Sequence, residues 1–162
     1  MRRCVFLDRD GVINAKAAAG EYILRWEDFR LIPETVDWIK LFNALGFLVI
    51  VVTNQRAVAK GLLTGRELES MHDAMKAALW QAGAHIDDVL CCPHEEFTCE
   101  CRKPKPGLVL QAQQRWDIDL GHSLMIGDSE SDFALARTCG MRFIRVAHGR
   151  IVRTEEWSRK MP

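Results

Sequence analysis

Apolar and polar positions along the chain change period several times, and each change marks an element. Cys4–Asp8 is a short apolar run that predicts a buried strand. After a polar loop containing Gly11 and Gly20, Pro33 suits a helical first turn, and Val36, Ile39, Phe42 and Leu45 recur at helical spacing until Gly46. Phe47–Thr53 is a continuous β-branched run, the pattern of a strand covered on both faces. Thr64 with Glu67 predicts a capping box, opening a helix whose apolar stripe is Leu68, Met71, Met75 and Leu79. Asp88–Cys92 then predicts a strand, Gly107–Trp116 a helix, Ser123–Gly127 a strand, Glu130–Cys139 a helix and Met141–Val146 a last strand.

Strands alternating with helices, without hairpin signals between them, predict a doubly wound α/β domain: a Rossmann-like parallel sheet with helices on both faces. With 162 residues and no linker or repeat, one domain spanning 1–162 is expected. No room exists between the first two strands for a large cap domain. In such sheets ligands bind outside the carboxyl ends of the strands. The residues that follow the strands are Asp8-Arg9-Asp10-Gly11, Thr53-Asn54-Gln55, the 92–105 loop and Gly127-Asp128-Ser129.

Charge changes the picture by exclusion. Lysine plus arginine balances aspartate plus glutamate at 22 each, which offers no footprint for nucleic acid or an anionic membrane surface. The longest strongly apolar run, Phe47 to Val52, is too short to cross a bilayer, and Asp8, Arg9 and Asp10 interrupt any secretory pattern. A cytoplasmic monomer acting on a small molecule is expected. In a reducing compartment the six cysteines do not predict a disulfide framework. Cys4, Cys91 and Cys139 read as small buried hydrophobes.

The acidic, hydroxylic and cationic groups after the strands suit phosphoryl transfer. Hard carboxylate oxygens suit magnesium, which relieves the repulsion among Asp8, Asp10 and Asp128. A carboxylate nucleophile divides hydrolysis into two easier steps, and a second carboxylate two residues on can serve as acid and then base. A hydroxyl and a cation are needed on the transferring oxygens, for which Thr53 and a lysine of the 102–105 segment are candidates. Taken singly, Asp-x-Asp-Gly is as well explained by a turn, and Thr53 by a strand; their order and register carry the reading. Cys92, His94, Cys99 and Cys101 supply four sulfur and nitrogen donors, matching a closed structural zinc site, against the plainer alternative of a loop of reduced cysteines. Zinc there would fix the loop that presents Lys103.

The motifs Asp8-Arg9-Asp10-Gly11-Val12-Ile13-Asn14, Thr53-Asn54-Gln55, Lys103 and Gly127-Asp128-Ser129-Glu130-Ser131-Asp132 resemble the four motifs of the haloacid dehalogenase superfamily, over residues 4–147. The resemblance implies that Asp8 is the nucleophile, Asp10 the general acid/base, and Thr53 and Lys103 the phosphoryl-holding groups. It also implies magnesium on Asp8, Asp128 and the Asp10 backbone carbonyl, with Asp132 an orienting carboxylate. The Cys-x-His and Cys-x-Cys-Arg-Lys-Pro pattern is similar to the capless, zinc-loop branch of that superfamily. This implies a sugar-phosphate substrate, with heptose 1,7-bisphosphate cleaved at its 7-phosphate favoured over histidinol phosphate. Asn54, Arg56 and Arg102 are the further candidates for phosphate contact. The arginines offer guanidinium forks suited to a second phosphate, against the plainer alternative that Arg56 is solvated and Arg102 only braces the loop. A signalling receiver domain is the rival, but its aspartate would follow the third strand, which here ends in Cys92-Pro93-His94.

Overall fold

The computed structural model describes residues 1–152; the last ten residues of the expected single domain lie outside that range. The elements run β1 (Cys4–Leu7), α1 (Pro33–Ala44), β2 (Leu48–Asn54), α2 (Gly65–Gln81), β3 (Asp88–Cys92), α3 (Gly107–Trp116), β4 (Leu124–Gly127), α4 (Glu130–Thr138), β5 (Arg142–Ala147) and β6 (Arg150–Ile151). One six-stranded sheet has the order β3-β2-β1-β4-β5-β6. The first five strands are parallel.

The period of two along the strands sorts the core into two layers. Val5, Leu7, Val49 and Val51 face the α1–α2 side, where Val36 and Ile39 of α1 and Leu68, Met71, Met75 and Leu79 of α2 bury against them. Cys4, Phe6, Leu48, Ile50 and Val52 face Leu108, Val109 and Ala112 of α3 and Leu135 and Ala136 of α4. The sheet is therefore covered on both faces, which is why its central strands are apolar throughout.

Capping follows the sequence closely. Thr64 and Glu67 form the reciprocal capping box, and Ser129 with Asp132 forms a second one at the start of α4. Three expectations change. Leu45 leaves the α1 stripe: it is the residue at which the helix ends and is 54% exposed. Cys4 is buried, but Cys91 and Cys139 are only half-buried. The last parallel strand continues into a hairpin, because His148 (φ 49°) and Gly149 (φ 73°) both adopt left-handed backbone and return β6 antiparallel to β5. Two successive positive φ values are what a tight two-residue hairpin requires.

The chain runs outward from β1 through β2 to β3, then returns to the other side of β1 with β4. The strand order reverses between β1 and β4, and a crevice opens at their carboxyl ends. Leu7 pairs with Ile126 across that boundary, so Asp8 and Asp128 emerge side by side.

Candidate active site

Asp8 leaves β1 with its N–H donating to the Ile126 carbonyl (3.1 Å), and its Oδ1 accepts the Arg9 N–H (2.7 Å). Lys103 Nζ lies 2.8 Å from Asp8 Oδ1 and 2.7 Å from Asp132 Oδ1. All three side chains are nearly inaccessible. Two buried carboxylates thus share one ammonium. Burial and the neighbouring Asp132 charge push the Asp8 carboxyl up to about 7 against the pull of Lys103. Burial would push the lysine down, but Asp8 and Asp132 outweigh it and hold Lys103 above its usual range.

Asp132 owes its position to α4. Its Oδ2 accepts the Ser129 N–H (3.2 Å) and hydroxyl (2.6 Å) in the capping box, leaving Oδ1 for Lys103. Gly127 makes this approach possible, since a Cβ there would lie 2.3 Å from the Asp132 Cβ. The orienting role expected for Asp132 is thus directed at the lysine.

Lys103 is also fixed through its backbone. Its N–H donates to Asn54 Oδ1 (3.0 Å), and its carbonyl accepts from Asn54 Nδ2 (3.1 Å). The Asn54 side chain, expected on phosphate, is instead used to clamp the 92–105 loop to β2. Thr53 is buried where expected, its hydroxyl accepting from Gln55 Nε2 (2.9 Å).

Asp10 is held by residues whose part was hidden in the motif. Arg9 Nη2 donates to both of its oxygens (3.0 and 3.1 Å), Asn14 Nδ2 to Oδ1 (2.9 Å) and Gln55 Nε2 to Oδ2 (2.9 Å). Burial opposes ionisation, yet Arg9, Asn14 and Gln55 together hold the Asp10 carboxyl below its usual range. Arg9 is only 1% exposed, with Nη1 3.2 Å from His72 Nε2 and its guanidinium over the Phe29 ring. Burial and Arg9 push the His72 imidazole down to about 4, so it meets the arginine as a neutral acceptor. In sequence Arg9 looks like a solvated charge in a turn; only α2 packing over β1 reveals it as a buried brace.

Asp8, Asp128 and Asp132 bring carboxylate oxygens within 4.8 Å of one another. Asp128 Oδ1 is buried without a hydrogen-bond partner, while Oδ2 is paired with Lys16. An orphaned carboxylate oxygen beside a second carboxylate fits a hard divalent cation. The Asp10 side chain is not in this cluster; its oxygens are taken by Arg9, Asn14 and Gln55. Gly11 (φ 89°) lets the loop pass Asp128, where a Cβ would fall 2.2 Å from Oδ2. A cleft of about 610 Å³ opens beside Asp128, between Gly11, Lys16 and the 146–148 turn.

The sulfur cluster converges as its spacing suggests. Cys92 Sγ lies 3.5 Å from Cys99 Sγ and 3.6 Å from His94 Nδ1; Cys101 Sγ lies 3.5 Å from Cys99 Sγ and 3.2 Å from His94 Nδ1. Bonds of about 2.3 Å directed to tetrahedral corners separate sulfurs by about 3.8 Å, so the donor set fits zinc. Burial opposes the Cys99 thiolate, but hydrogen bonds from Cys101, the Arg102 backbone and Cys92 bring that thiol down to about 6.

The mouth differs from the expectation. Arg56 is paired with Glu95 and, at 3.3 Å, with Glu96 Oε1; Arg102 Nη2 lies 3.5 Å from the same Glu96 oxygen. Neither guanidinium is a free fork.

Residues 100–160 match the HAD-hydrolase-like family model. A D-glycero-β-D-manno-heptose-1,7-bisphosphate 7-phosphatase of Rhodopseudomonas palustris is 38% identical over 148 residues, covering 86% of this chain and 81% of the relative. A D-glycero-α-D-manno-heptose-1,7-bisphosphate 7-phosphatase of Burkholderia mallei is 39% identical, covering 86% of this chain and 76% of the relative. Among solved structures, the D,D-heptose 1,7-bisphosphate phosphatase of B. bronchiseptica, complexed with magnesium and phosphate, superposes with a TM-score of 0.83 at 32% identity, covering 91% of this chain and 83% of that one. Similarity of this extent, over a sheet whose switch point gathers the expected carboxylates and lysine, means that the chain belongs to the haloacid dehalogenase-like hydrolases.

Proposed function

We propose that the chain is a magnesium-dependent phosphatase that removes the 7-phosphate of D-glycero-D-manno-heptose 1,7-bisphosphate through a phosphorylated Asp8. The observation that carries the reading is Asp8 at the strand-order switch, with Lys103 on one of its oxygens and Asp10 two residues on. The names of the relatives supply the substrate.

Asp8 and Asp128, with the Asp10 backbone carbonyl, would hold magnesium, which supplies the positive charge that lets an anionic nucleophile meet an anionic phosphate. Lys103 and Thr53 hold the transferring oxygens. An Asp8 oxygen bonds to phosphorus as the ester P–O bond breaks, and Asp10 gives its proton to the departing alkoxide. Asp10 then takes a proton from water, whose oxygen attacks phosphorus; the P–O bond to Asp8 breaks and phosphate leaves. The Arg9 brace favours ionised Asp10, which is the base form. A phosphate dianion entering beside it opposes that charge and raises the carboxyl, favouring the proton needed in the first step. Zinc held by Cys92, His94, Cys99 and Cys101 would serve the fold of the loop alone, since four protein ligands leave no position open.

Asp8→Asn should lower phosphate release by roughly 10⁴-fold or more, because the group that forms the intermediate is lost. In wild type, kcat/KM for the heptose bisphosphate should exceed that for fructose 1,6-bisphosphate and for histidinol phosphate. Near-normal turnover by Asp8→Asn would refute the covalent route, and a preference for histidinol phosphate would refute the substrate. The pairing of both mouth arginines with carboxylates is the one feature that favours such a less anionic far end.

A further inference from the structure

Arg56 follows Gln55, which touches Asp10, and Arg102 precedes Lys103, which touches Asp8. The two residues are thus chain neighbours of site residues, and although they lie far apart in sequence their guanidiniums converge on one partner, Glu96. A single oxygen, Glu96 Oε1, sits 3.3 Å from Arg56 Nη1 and 3.5 Å from Arg102 Nη2. One carboxylate oxygen drawn to two guanidiniums occupies the position that an external anion would take there.

Glu96 belongs to the short tip between the ligand-type residues His94 and Cys99. That tip turns at Phe97, a non-glycine residue at φ 63° whose side chain is 95% exposed. The ring buries almost nothing, so packing of Phe97 does not hold the tip in this left-handed turn. Polar contacts hold it: Thr98 Oγ1 donates to the Glu95 carbonyl (2.8 Å), the Glu96 N–H donates to Glu95 Oε1 (3.0 Å), and Glu95 and Glu96 pair with the arginines. Such partly exposed ion pairs are weak and exchangeable, unlike the buried Asp8–Lys103–Asp132 set.

We propose that Glu96 is a specificity-determining residue: its carboxylate is the resident occupant of the Arg56–Arg102 anion position and competes with the substrate's second phosphate. This rests on the functional reading above and deepens it. A bisphosphate must displace Glu96 to reach the arginines, whereas a monophosphate leaves the pairing intact. Glu96 thus lowers the advantage that a second phosphate gives and sets how sharply the site separates bisphosphates from monophosphates.

The test is the ratio of kcat/KM for heptose 1,7-bisphosphate to that for heptose 7-phosphate, in wild type, Glu96→Gln, Arg102→Ala and the double variant. Two weak exposed pairs are released, so Glu96→Gln should raise the ratio roughly three- to tenfold, chiefly through KM for the bisphosphate. In the Arg102→Ala background the same substitution should change it much less, because the shared position is already broken. Zinc content and far-UV spectra of each variant establish that the tip and loop are intact. An unchanged ratio overturns the inference, and a reduced ratio overturns it in favour of Glu96 bracing the arginines. If wild type does not hydrolyse the heptose bisphosphate in preference to the other phosphate esters, the functional reading falls and this inference with it; a wild-type preference unaffected by Glu96→Gln removes the inference alone.

Discussion

The buried Asp8 cluster and the mouth of the site use the same chemistry, carboxylates paired with cations, to opposite ends. At the cluster, Lys103 is pinned by Asp8 and Asp132 through its ammonium and by Asn54 through both backbone groups. Asp132 is 0% exposed, and its second oxygen is spent on the α4 cap. At the mouth, Arg56 and Arg102 meet Glu95 and Glu96 in partial contact with water. Buried pairs cannot exchange partners without stranding a charge, whereas exposed ones can. The difference teaches that one stretch of chain, the 92–105 loop, carries both a buried, fixed ion-pair set at Lys103 and a partly exposed, exchangeable one at Glu95, Glu96 and Arg102.

The strongest way to break that contrast is Lys103→Met. It leaves Asp8 and Asp132 facing each other in a buried site, and the loss of one partner of a buried set should cost about 3–5 kcal/mol. Urea unfolding at neutral pH measures it, and the loss should shrink towards pH 5 as Asp8, whose carboxyl is held high by burial, takes up a proton. A loss under about 1 kcal/mol, the size typical of exposed pairs, would place the cluster in the same class as the mouth.

Cys101→Ser attacks the link between the two regions. It should remove the bound zinc, expected at about one per chain in wild type. It should also lower kcat/KM by roughly ten- to a hundredfold, since small displacements of a positioning group suffice for such losses. Metal analysis and steady-state kinetics check both. Full activity in zinc-free protein would show that the Asn54 clamp holds Lys103 without the loop.

A subtler test concerns protons at the reaction centre. Without a cation, burial pushes the Asp8 carboxyl up to about 7 from the usual 3.8. Between those values the native protein holds a proton that the unfolded chain has lost. The Asp8 contribution to stability is therefore present at low pH and is lost as pH rises towards 7. Measured in chelator against Asp8→Asn, wild type should lose stability over that window. Magnesium favours the ionised carboxylate, so its binding near pH 6.5 should release protons and tighten as pH rises. Calorimetry in two buffers of different ionisation enthalpy reads the release directly. No proton release would mean that Asp8 is already ionised in the metal-free protein.

Much of the fold is legible from local pattern alone. Strands covered on both faces must be apolar at every position, and Phe47–Thr53 announces itself for that reason. Thr64 with Glu67 marks a helix start because the two residues satisfy each other's backbone groups locally. Asp8, Asp10, Thr53, Lys103 and Asp128 could be placed around one crevice, because in a doubly wound sheet the residues after the strands share one edge. The cysteine and histidine donors were legible as well, since they lie within ten residues of one another and need only a folded loop to meet.

Whatever depends on partners distant in the chain is settled only on folding. Arg9 became a buried brace because α2 brings His72 and Met71 over β1, and nothing near Arg9 in sequence predicts that cover. Asn54 turned from phosphate to the Lys103 backbone because β2 lies beside the 92–105 loop, and a side-chain amide matches a peptide group donor to acceptor. The His148-Gly149 hairpin depends on a left-handed histidine, a backbone state that residue type does not announce. Arg56 and Arg102 looked available because their charges were visible in the sequence. Glu95 and Glu96 were visible too, but an ion pair is a matter of distance, and only the folded loop sets it.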